Sequence, residues 1–303
     1  MRWRKGDDQR GQIEDRRAQG GGPARGGLGG FGGLGGAKGG IGGLGVVGII
    51  VAVVVVLLGR GGGGGFGLDM GQLNALPTQS AQQGTLPADL TSEDNLRDFV
   101  AFVVNDVQNS WSEAFERAGT SYPTTRLVLF RGGVNTGCGA ASSAMGPFYC
   151  PADQKVYLDL DFFRELSQRF GAPGDFAQAY VIAHEFGHHV QNVTGIMRQV
   201  DVAQRDDPSR ANELSVRLEL QADCLAGVWA HSAYRANLLE EGDLEEGLAA
   251  AAAVGDDRIQ GAGGGRVDPE SFTHGTSQQR TDWFMRGFEN GDAAACDTFA
   301  GDI

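Results

Sequence analysis

The segment HEFGH places two histidines and a glutamate at a spacing that can do metal chemistry. In a helix, His184 and His188 stack on one face and can reach a single ion, while Glu185 points about 100° away, toward a water on that ion. This pattern predicts zinc-assisted hydrolysis with Glu185 as the base. A helix that buries two hydrogen-bonded histidines in its core is the alternative. His189 lies on another face and is interpreted as a bystander or a group behind the ligands.

A catalytic zinc site needs a third protein ligand, because such sites usually combine three ligands with one open position for water. Glu219 is the candidate, and Asp223, one helical turn later, can accept the outer N–H of a zinc-bound imidazole. A Glu/Asp pair at this spacing is also typical of a solvated helix face. Here the neighbours are mostly apolar, so unpaired carboxylates would be costly to bury and the metal role is favoured. The expected ligands of one Zn²⁺ per chain are His184, His188 and Glu219.

Two helices and a small sheet must position these side chains. Residues 175–195 begin with an Asp, continue with apolar residues at helical intervals and end with a Gly, which predicts the first helix. A second helix is predicted over about 208–231, with Asp207 as its N-cap and a proline in its first turn. Residues 125–132 and 155–163 have the alternating, β-branched character of strands.

The composition divides the chain into a Gly-rich, basic first part and an acidic folded part. About half of the 50 glycines lie in the first 67 residues, a density that favours disorder over a packed core. Residues 1–60 carry nine Lys/Arg and four Asp/Glu, a net charge of +5. Because the whole chain has a net charge of −13, residues 61–303 carry −18. This acidity argues against a nucleic-acid partner, because phosphate binding needs a cationic face.

These differences predict the domain organisation. We expect a disordered Gly/Arg-rich tail over 1–40, a flexible linker over 60–90 and one folded domain over 91–303. The tail can be a tether or a partner-binding arm, and its composition does not choose between the two.

An uncharged apolar run, IGGLGVVGIIVAVVVVLL, occupies residues 41–58. A stretch of about 18 residues at helical rise just covers a hydrocarbon core, so we predict a transmembrane anchor at 41–59. A buried strand, a core helix and a cleaved signal peptide are the alternatives. Because basic residues precede the run, the positive-inside bias predicts a single-pass inner-membrane protein with a cytoplasmic N-terminus and an extracytoplasmic domain.

All four cysteines lie in the proposed external domain, an even number that suits two disulfides in an oxidising compartment. The favoured pairs are Cys138 with Cys150, which bracket a short Gly/Ser-rich stretch, and Cys224 with Cys296. A four-cysteine zinc site is the alternative, but the chain has no CxxC spacing.

Three segments, HEFGHHVQ, ELQADCLAG and SFTHGTSQQR, resemble the bacterial putative neutral zinc metallopeptidase family, and the likeness spans nearly the whole chain. HExxH followed by ExxxD is also similar to the gluzincin peptidases, whose Glu is the third zinc ligand. The resemblance implies an α+β, zincin-like fold with a small sheet and an active-site helix. The separation of 31 positions between His188 and Glu219 is longer than in thermolysin-like members.

The resemblance also draws attention to His274 and Arg280, because related gluzincins place a His, Tyr or Arg beside the developing oxyanion. His274 is the candidate for this catalytic role. The alternative is that THGTSQQR is only a capped loop leading into the last helix. Asp256 and Asp257 could form a second metal site, but a helix C-terminal turn after the Ala-rich run is favoured.

Together these features predict a membrane-anchored zinc peptidase, by default an endopeptidase, that hydrolyses extracytoplasmic proteins or peptides. The hairpin between Cys138 and Cys150, containing residues 141–145, is expected to form the sheet edge that binds the substrate backbone, as edge strands do in zincins. The rival hypothesis is a catalytically silent, membrane-tethered peptide-binding or scaffold module with a structural zinc. The intact Glu185 and the open ligand position weigh against it. The sequence fixes neither the substrate nor the oligomeric state.

Overall fold

The computed structural model describes residues 1–5, 11–19, 90, 92–262 and 267–303. The predicted anchor at 41–59 and all but the last residue of the predicted linker at 60–90 lie outside this part of the chain. Within the described residues, no helix combines the length and the apolar character that crossing a bilayer requires.

The described chain is a mixed helix and sheet structure, as the α+β prediction requires. The strands are β1 (Ile13–Asp15), β2 (Leu127–Phe130), β3 (Gly133–Thr136), β4 (Gly139–Ser142), β5 (Phe148–Cys150) and β6 (Lys155–Asp159). The helices are α1 (Glu93–Arg117), α2 (Asp161–Gln168), α3 (Asp175–Val193), α4 (Ile196–Asp206), α5 (Ala211–Arg235), α6 (Asp243–Ala253), α7 (Asp256–Ala262) and α8 (Ser277–Asn290).

Four strands form one sheet in the order β1-β2-β6-β5. β2 is parallel to both β1 and β6, and β5 runs antiparallel to β6. All four residues of β2 are buried, because one face of the sheet packs on the main core and the other on a small cluster around Phe130, Phe148 and Tyr157. A continuous apolar run such as LVLF is typical of a strand that is covered on both faces.

The prediction that the Cys138–Cys150 hairpin forms the edge of this sheet was wrong for residues 141–145 and correct for its last residues, Phe148–Cys150. β3 and β4 pair only with each other, as a separate two-stranded sheet. Their residues are mostly small and at least partly exposed, so they have no apolar face to bury against the main sheet. β5, at the C-terminal end of the same hairpin, is the edge strand next to β6.

Helices α3 and α5 form the centre of the domain and are buried along most of their length. Gly187, inside HEFGH, lies where they approach: a Cβ at this position would be 3.0 Å from the carbonyl oxygen of Ala222. The second predicted helix begins as a 3-10 turn at Pro208–Arg210, capped by the Asp207 carboxylate, which accepts from Ser209 N at 3.1 Å.

Helix α8 also contacts α5 through two glycines. A Cβ on Gly227 would lie 2.0 Å from the carbonyl oxygen of Phe284, and one on Gly287 would lie 1.9 Å from that of Cys224. Only glycines allow this contact without moving a backbone. The Cys224–Cys296 disulfide then ties the chain that follows α8 to the same helix.

The first residues of the chain are part of the folded body. β1 continues the sheet, with Ile13 opposite Leu127. The Met1 ammonium lies 2.8 Å from both carboxylate oxygens of Asp175 and 3.2 Å from Oδ1 of Asp243. The prediction of a disordered tail over 1–40 was therefore wrong for residues 1–5 and 11–19. The glycines that motivated it lie mostly after residue 19, whereas the segments before it carry a strand-forming Ile and charged groups with partners.

Candidate metal centre

Three predicted ligands converge at the contact between α3 and α5. The rings of His184 and His188 are 4.8 Å apart between centroids and nearly perpendicular, at 85°. Nε2 of His184 lies 3.2 Å from Oε2 of Glu219, and Nε2 of His188 lies 3.5 Å from Oε1. The three ligand atoms are all within 4.8 Å of one another, and the three residues are buried. Two helices therefore supply the histidine, histidine and carboxylate group expected of a zinc site.

The hydrogen bonds behind the two rings show why a cation fits between them. Nδ1 of His184 is 2.8 Å from an oxygen of Asp223, and Nδ1 of His188 is 2.8 Å from Oε1 of Gln191. Because both partners are acceptors, both Nδ1 atoms carry hydrogen, and both Nε2 atoms face the Glu219 carboxylate. Oε2 of Glu219 is buried without a hydrogen-bond partner among the described residues. Two ring nitrogens and a carboxylate that face one another at these distances need a positive charge between them, either a proton on Nε2 of His184 or a metal ion, so the donor set suits a bound cation.

Asp223 is the best-connected group behind the ligands. It is completely buried, and one of its oxygens also accepts from the Tyr180 hydroxyl and from Nη2 of Arg280, the latter at 2.9 Å. Burial raises the pKa of Asp223, but the positive charge of Arg280 and the contact with His184 outweigh it and hold that pKa below its usual value. Asp223 therefore stays ionised as the acceptor for the imidazole.

The charges of the three ligands respond to burial and to one another. Burial lowers the pKa of His184, but Asp223 and Glu219 reverse the effect and raise that pKa to about 10. For His188, burial prevails and lowers the pKa to about 4. Burial raises the pKa of Glu219, but the two histidines hold it well below its usual range. Glu219 is thus a carboxylate, the form that binds a metal.

A cavity lies beside the ligands, and Glu185 lines it together with His184 and Glu219. Burial raises the pKa of Glu185 to about 7, against a smaller lowering by the charge of His184. Its Oε2 has no hydrogen-bond partner among the described residues. A buried carboxylate with one unpartnered oxygen, facing the space next to the ligands, is placed to take a proton from a water there.

His274 reaches the cavity from the loop before α8. Its Nδ1 lies 3.0 Å from Oδ1 of Asp256 and 3.0 Å from the Thr273 hydroxyl, and its backbone N–H donates to Asp256 at 2.7 Å. Because Asp256 occupies Nδ1, Nε2 is the nitrogen left for a group in the cavity. THGTSQQR also caps the last helix, as the alternative proposed: Thr276 and Gln279 form a capping box.

Asp256 and Asp257 hold the loop before α8 by hydrogen bonds and do not form a metal site. Both begin α7 instead of ending α6, which corrects the expected helix C-terminal turn. Asp257 accepts from the backbone N–H of Ser277 at 2.7 Å, and Asp256 holds the His274 loop. Among the described residues, neither belongs to a group that could hold an ion. The second group of that kind, Asp175 with Asp243 and Glu246, lies at the start of α3 around the Met1 ammonium.

His189 lies away from the ligands. Its Nε2 is 2.6 Å from the Pro123 carbonyl oxygen and its Nδ1 is 3.0 Å from the Tyr149 hydroxyl. Burial lowers the pKa of His189, so the ring is neutral. Both of its nitrogens are used in hydrogen bonds within the protein. This placement matches the bystander interpretation.

Three residues of the site were missed by sequence reasoning. Tyr180, one turn before His184, donates to Asp223, and Gln191 holds the outer nitrogen of His188. Both positions are readable from helical spacing, because residues three or four apart share a face. Asp256 could not be found in this way, since 18 positions separate it from His274. Arg280, singled out beside His274, instead pairs with Asp223.

The cysteines form the two favoured disulfides, Cys138–Cys150 and Cys224–Cys296, with Cα–Cα distances of 5.8 and 5.5 Å. Cys224 directly follows Asp223, so the second bond anchors the turn of α5 that supports His184. The four-cysteine zinc site is excluded, because every cysteine of the chain is in one of these bonds.

Comparison with known proteins gives one family and several relatives. The profile of the family described as "Putative neutral zinc metallopeptidase" matches residues 1–299. The chain is 47% identical over 304 residues to "Uncharacterized protein YpfJ" of Escherichia coli, covering 100% of both chains. It is 46% identical over 213 residues to "Uncharacterized protein Rv2575" of Mycobacterium tuberculosis, covering 67% of this chain and 71% of that protein. No solved structure matches the chain.

Proposed function

Because the chain belongs to the putative neutral zinc metallopeptidase family, we propose that it is a zinc-dependent peptidase that hydrolyses internal bonds of peptides or unfolded proteins. The observation that carries the proposal is the convergence of two imidazole lone pairs and the Glu219 carboxylate, with Glu185 beside them. The buried strands, active-site helix and ligand helix also fit the zincin-like architecture that HExxH and ExxxD imply.

His184, His188 and Glu219 would hold one zinc ion. When bound, zinc lowers the pKa of water and polarises a carbonyl group. Glu185 takes a proton from the attacking water and delivers it to the leaving amine, a role that suits a carboxyl with a pKa near neutrality. Asp223 and Gln191 keep the two imidazoles in the tautomer that leaves Nε2 free.

His274, as an imidazolium with Nδ1–H on Asp256 and Nε2–H left for the cavity, is the proposed donor to the oxyanion. Its contacts with Asp256 and Thr273 orient the ring, and it lines the same cavity as Glu185 and Glu219. A hydrogen bond that strengthens as negative charge develops on the substrate oxygen lowers the barrier without tightening substrate binding equally.

We also propose that residues 41–59 attach the protein to a membrane. The ordered N-terminal segments restrict which parts of the chain can lie on each side of that membrane. β1 and Met1 contact the domain directly, which supports the proposal that both lie on the same side of a bilayer as residues 92–303. A single crossing at 41–59 with a cytoplasmic N-terminus and an external domain would separate these contacts. Two disulfides favour the extracytoplasmic side for the whole folded body.

The function is tested by measuring zinc content together with cleavage of an unstructured protein such as casein. We expect cleavage by the zinc-loaded protein, its loss with a chelator and its return with zinc. Glu185→Gln should keep zinc but lose about 10²–10⁴-fold in rate, whereas Glu116→Gln, an exposed change on α1, should match wild type. Stoichiometric zinc without any cleavage would favour the silent binding module instead.

A further inference from the structure

The cavity beside the ligands has a volume of about 190 Å³. Its walls combine α2, α3, α7 and the segment 144–147 that precedes β5. An apolar cavity of about 150 Å³ is large enough to hold benzene. The space is thus sufficient for one large side chain next to the reacting bond.

Most of the cavity lining is apolar. Its lining includes Met145, Phe162, Phe170, Val181 and Ile259. Glu165 and Arg169 also line the cavity. Both are exposed to solvent, and they carry opposite charges. A charged side chain that entered the apolar part would lose water without gaining a partner.

Two polar groups of the lining, Tyr180 and Arg280, are already hydrogen-bonded within the protein. The Tyr180 hydroxyl and Nη2 of Arg280 both donate to the buried Asp223. They support His184, so a polar substrate side chain would have to compete with contacts that hold a metal ligand. This arrangement favours an occupant that needs no hydrogen bond.

We propose that this cavity is the specificity pocket of the enzyme and binds a large apolar side chain, aromatic or leucine-like, of a residue that flanks the scissile bond. The inference rests on the proposed function and names its substrate class. Ile259 of α7 and Phe162 of α2 both line the pocket, and neither belongs to the catalytic group.

The test uses peptides that are otherwise Gly and Ala, with Phe, Leu, Ala, Asp or Lys at either residue flanking the cleaved bond. Because one methylene in an apolar pocket changes kcat/KM by about 10–200-fold, Phe or Leu should exceed Ala, Asp and Lys by at least about tenfold at one position. Ile259→Trp should shrink this ratio at least about tenfold, and Phe162→Ala should shift it toward the larger side chain. Val202→Trp, an exposed change on α4, is the matched control and should leave it unchanged.

Binding separates this inference from the proposed function. The same peptides are titrated calorimetrically into Glu185→Gln protein, and we expect the same order of affinities, lost in the Ile259→Trp double variant. Cleavage without an apolar preference, or a preference that Ile259→Trp leaves intact, overturns the pocket and keeps the peptidase. Selective binding of the Phe and Leu peptides without cleavage by wild type overturns the peptidase and keeps the pocket. Unselective binding in the absence of cleavage overturns both.

Discussion

Asp223 and His184 are joined by a hydrogen bond of 2.8 Å between a carboxylate oxygen that is completely buried and the Nδ1 of the first ligand. The same oxygen accepts from Tyr180 and Arg280, so four side chains from α3, α5 and α8 meet at one atom. The orientation of the metal ligand therefore depends on packing between three helices.

Asp223→Asn should weaken zinc binding. An amide is a poorer acceptor for the imidazole N–H and leaves the Arg280 charge less compensated, so we expect zinc affinity to fall about 10–100-fold. Competition with a calibrated zinc chelator measures it. Asp106→Asn is the matched control. Asp106 also accepts a hydrogen bond, from Trp229 Nε1 at 2.8 Å, but it is not in contact with the metal ligands. If Asp223→Asn and wild type bind zinc with equal affinity, Asp223 does not support the metal ligands.

Gly187→Val should separate α3 from α5. The Cβ of any replacement starts 3.0 Å from the Ala222 carbonyl oxygen, and the extra methyl groups of valine have no space there. We expect a loss of about 1–3 kcal/mol in the free energy of unfolding and weaker zinc binding, with a smaller effect for Gly187→Ala. Gly11→Ala, where nothing lies within 4 Å, should change neither. Unaltered zinc affinity in Gly187→Val would contradict the close contact.

Glu246→Gln should stabilise the protein at alkaline pH. Burial, with Asp175 and Asp243 nearby, raises the pKa of Glu246 to about 7, above the ordinary 4.5. A raised carboxyl pKa gives stability that is full below about pH 4.5 and is lost as the pH rises through 7. Glutamine avoids this loss and can still accept from Phe176 N–H.

The expected gain for Glu246→Gln is about 1 kcal/mol at pH 8, after allowance for a side chain that is partly exposed, and none at about pH 4. Denaturant titrations at both pH values measure it. Glu245→Gln, an exposed neighbour on α6, should be neutral at both. A gain for Glu246→Gln that does not depend on pH would show that the carboxyl is not the cause.

The N-terminal segment and the domain should be labelled from the same side of the membrane. Because all native cysteines are in disulfides, Gln19→Cys and Asp302→Cys each add one exposed thiol. A membrane-impermeant maleimide applied to intact cells should label both, and lysis should not increase either signal. Labelling of Asp302→Cys alone would show that β1 and Met1 are not docked on the domain in the membrane-bound protein.

The sequence was most informative where chemistry and helical spacing coincide. His184, Glu185 and His188 share a short motif, and Glu219 and Asp223 share a helix whose apolar neighbours exclude a solvated face. Spacing could not show that Asp256 holds His274, because that contact depends on how α7 packs against the loop before α8.

Composition misled where it was averaged over a long segment. The Gly-rich first part contains a short strand, β1, whose Ile13 favours a strand and which pairs with β2. The Cys138–Cys150 bond was anticipated correctly, and the end of its hairpin, β5, is at the sheet edge, but residues 141–145 are not, since they have no apolar face to bury there.

Zinc-edge X-ray absorption of the loaded protein tests the central claim most directly, when combined with metal analysis of the Glu219→Ala variant. The account predicts one zinc per chain, bound to two imidazole nitrogens and to oxygen ligands at about 2.0–2.2 Å, with most of the metal lost from the variant. Sulfur ligands, or full zinc retention after Glu219→Ala, would contradict it.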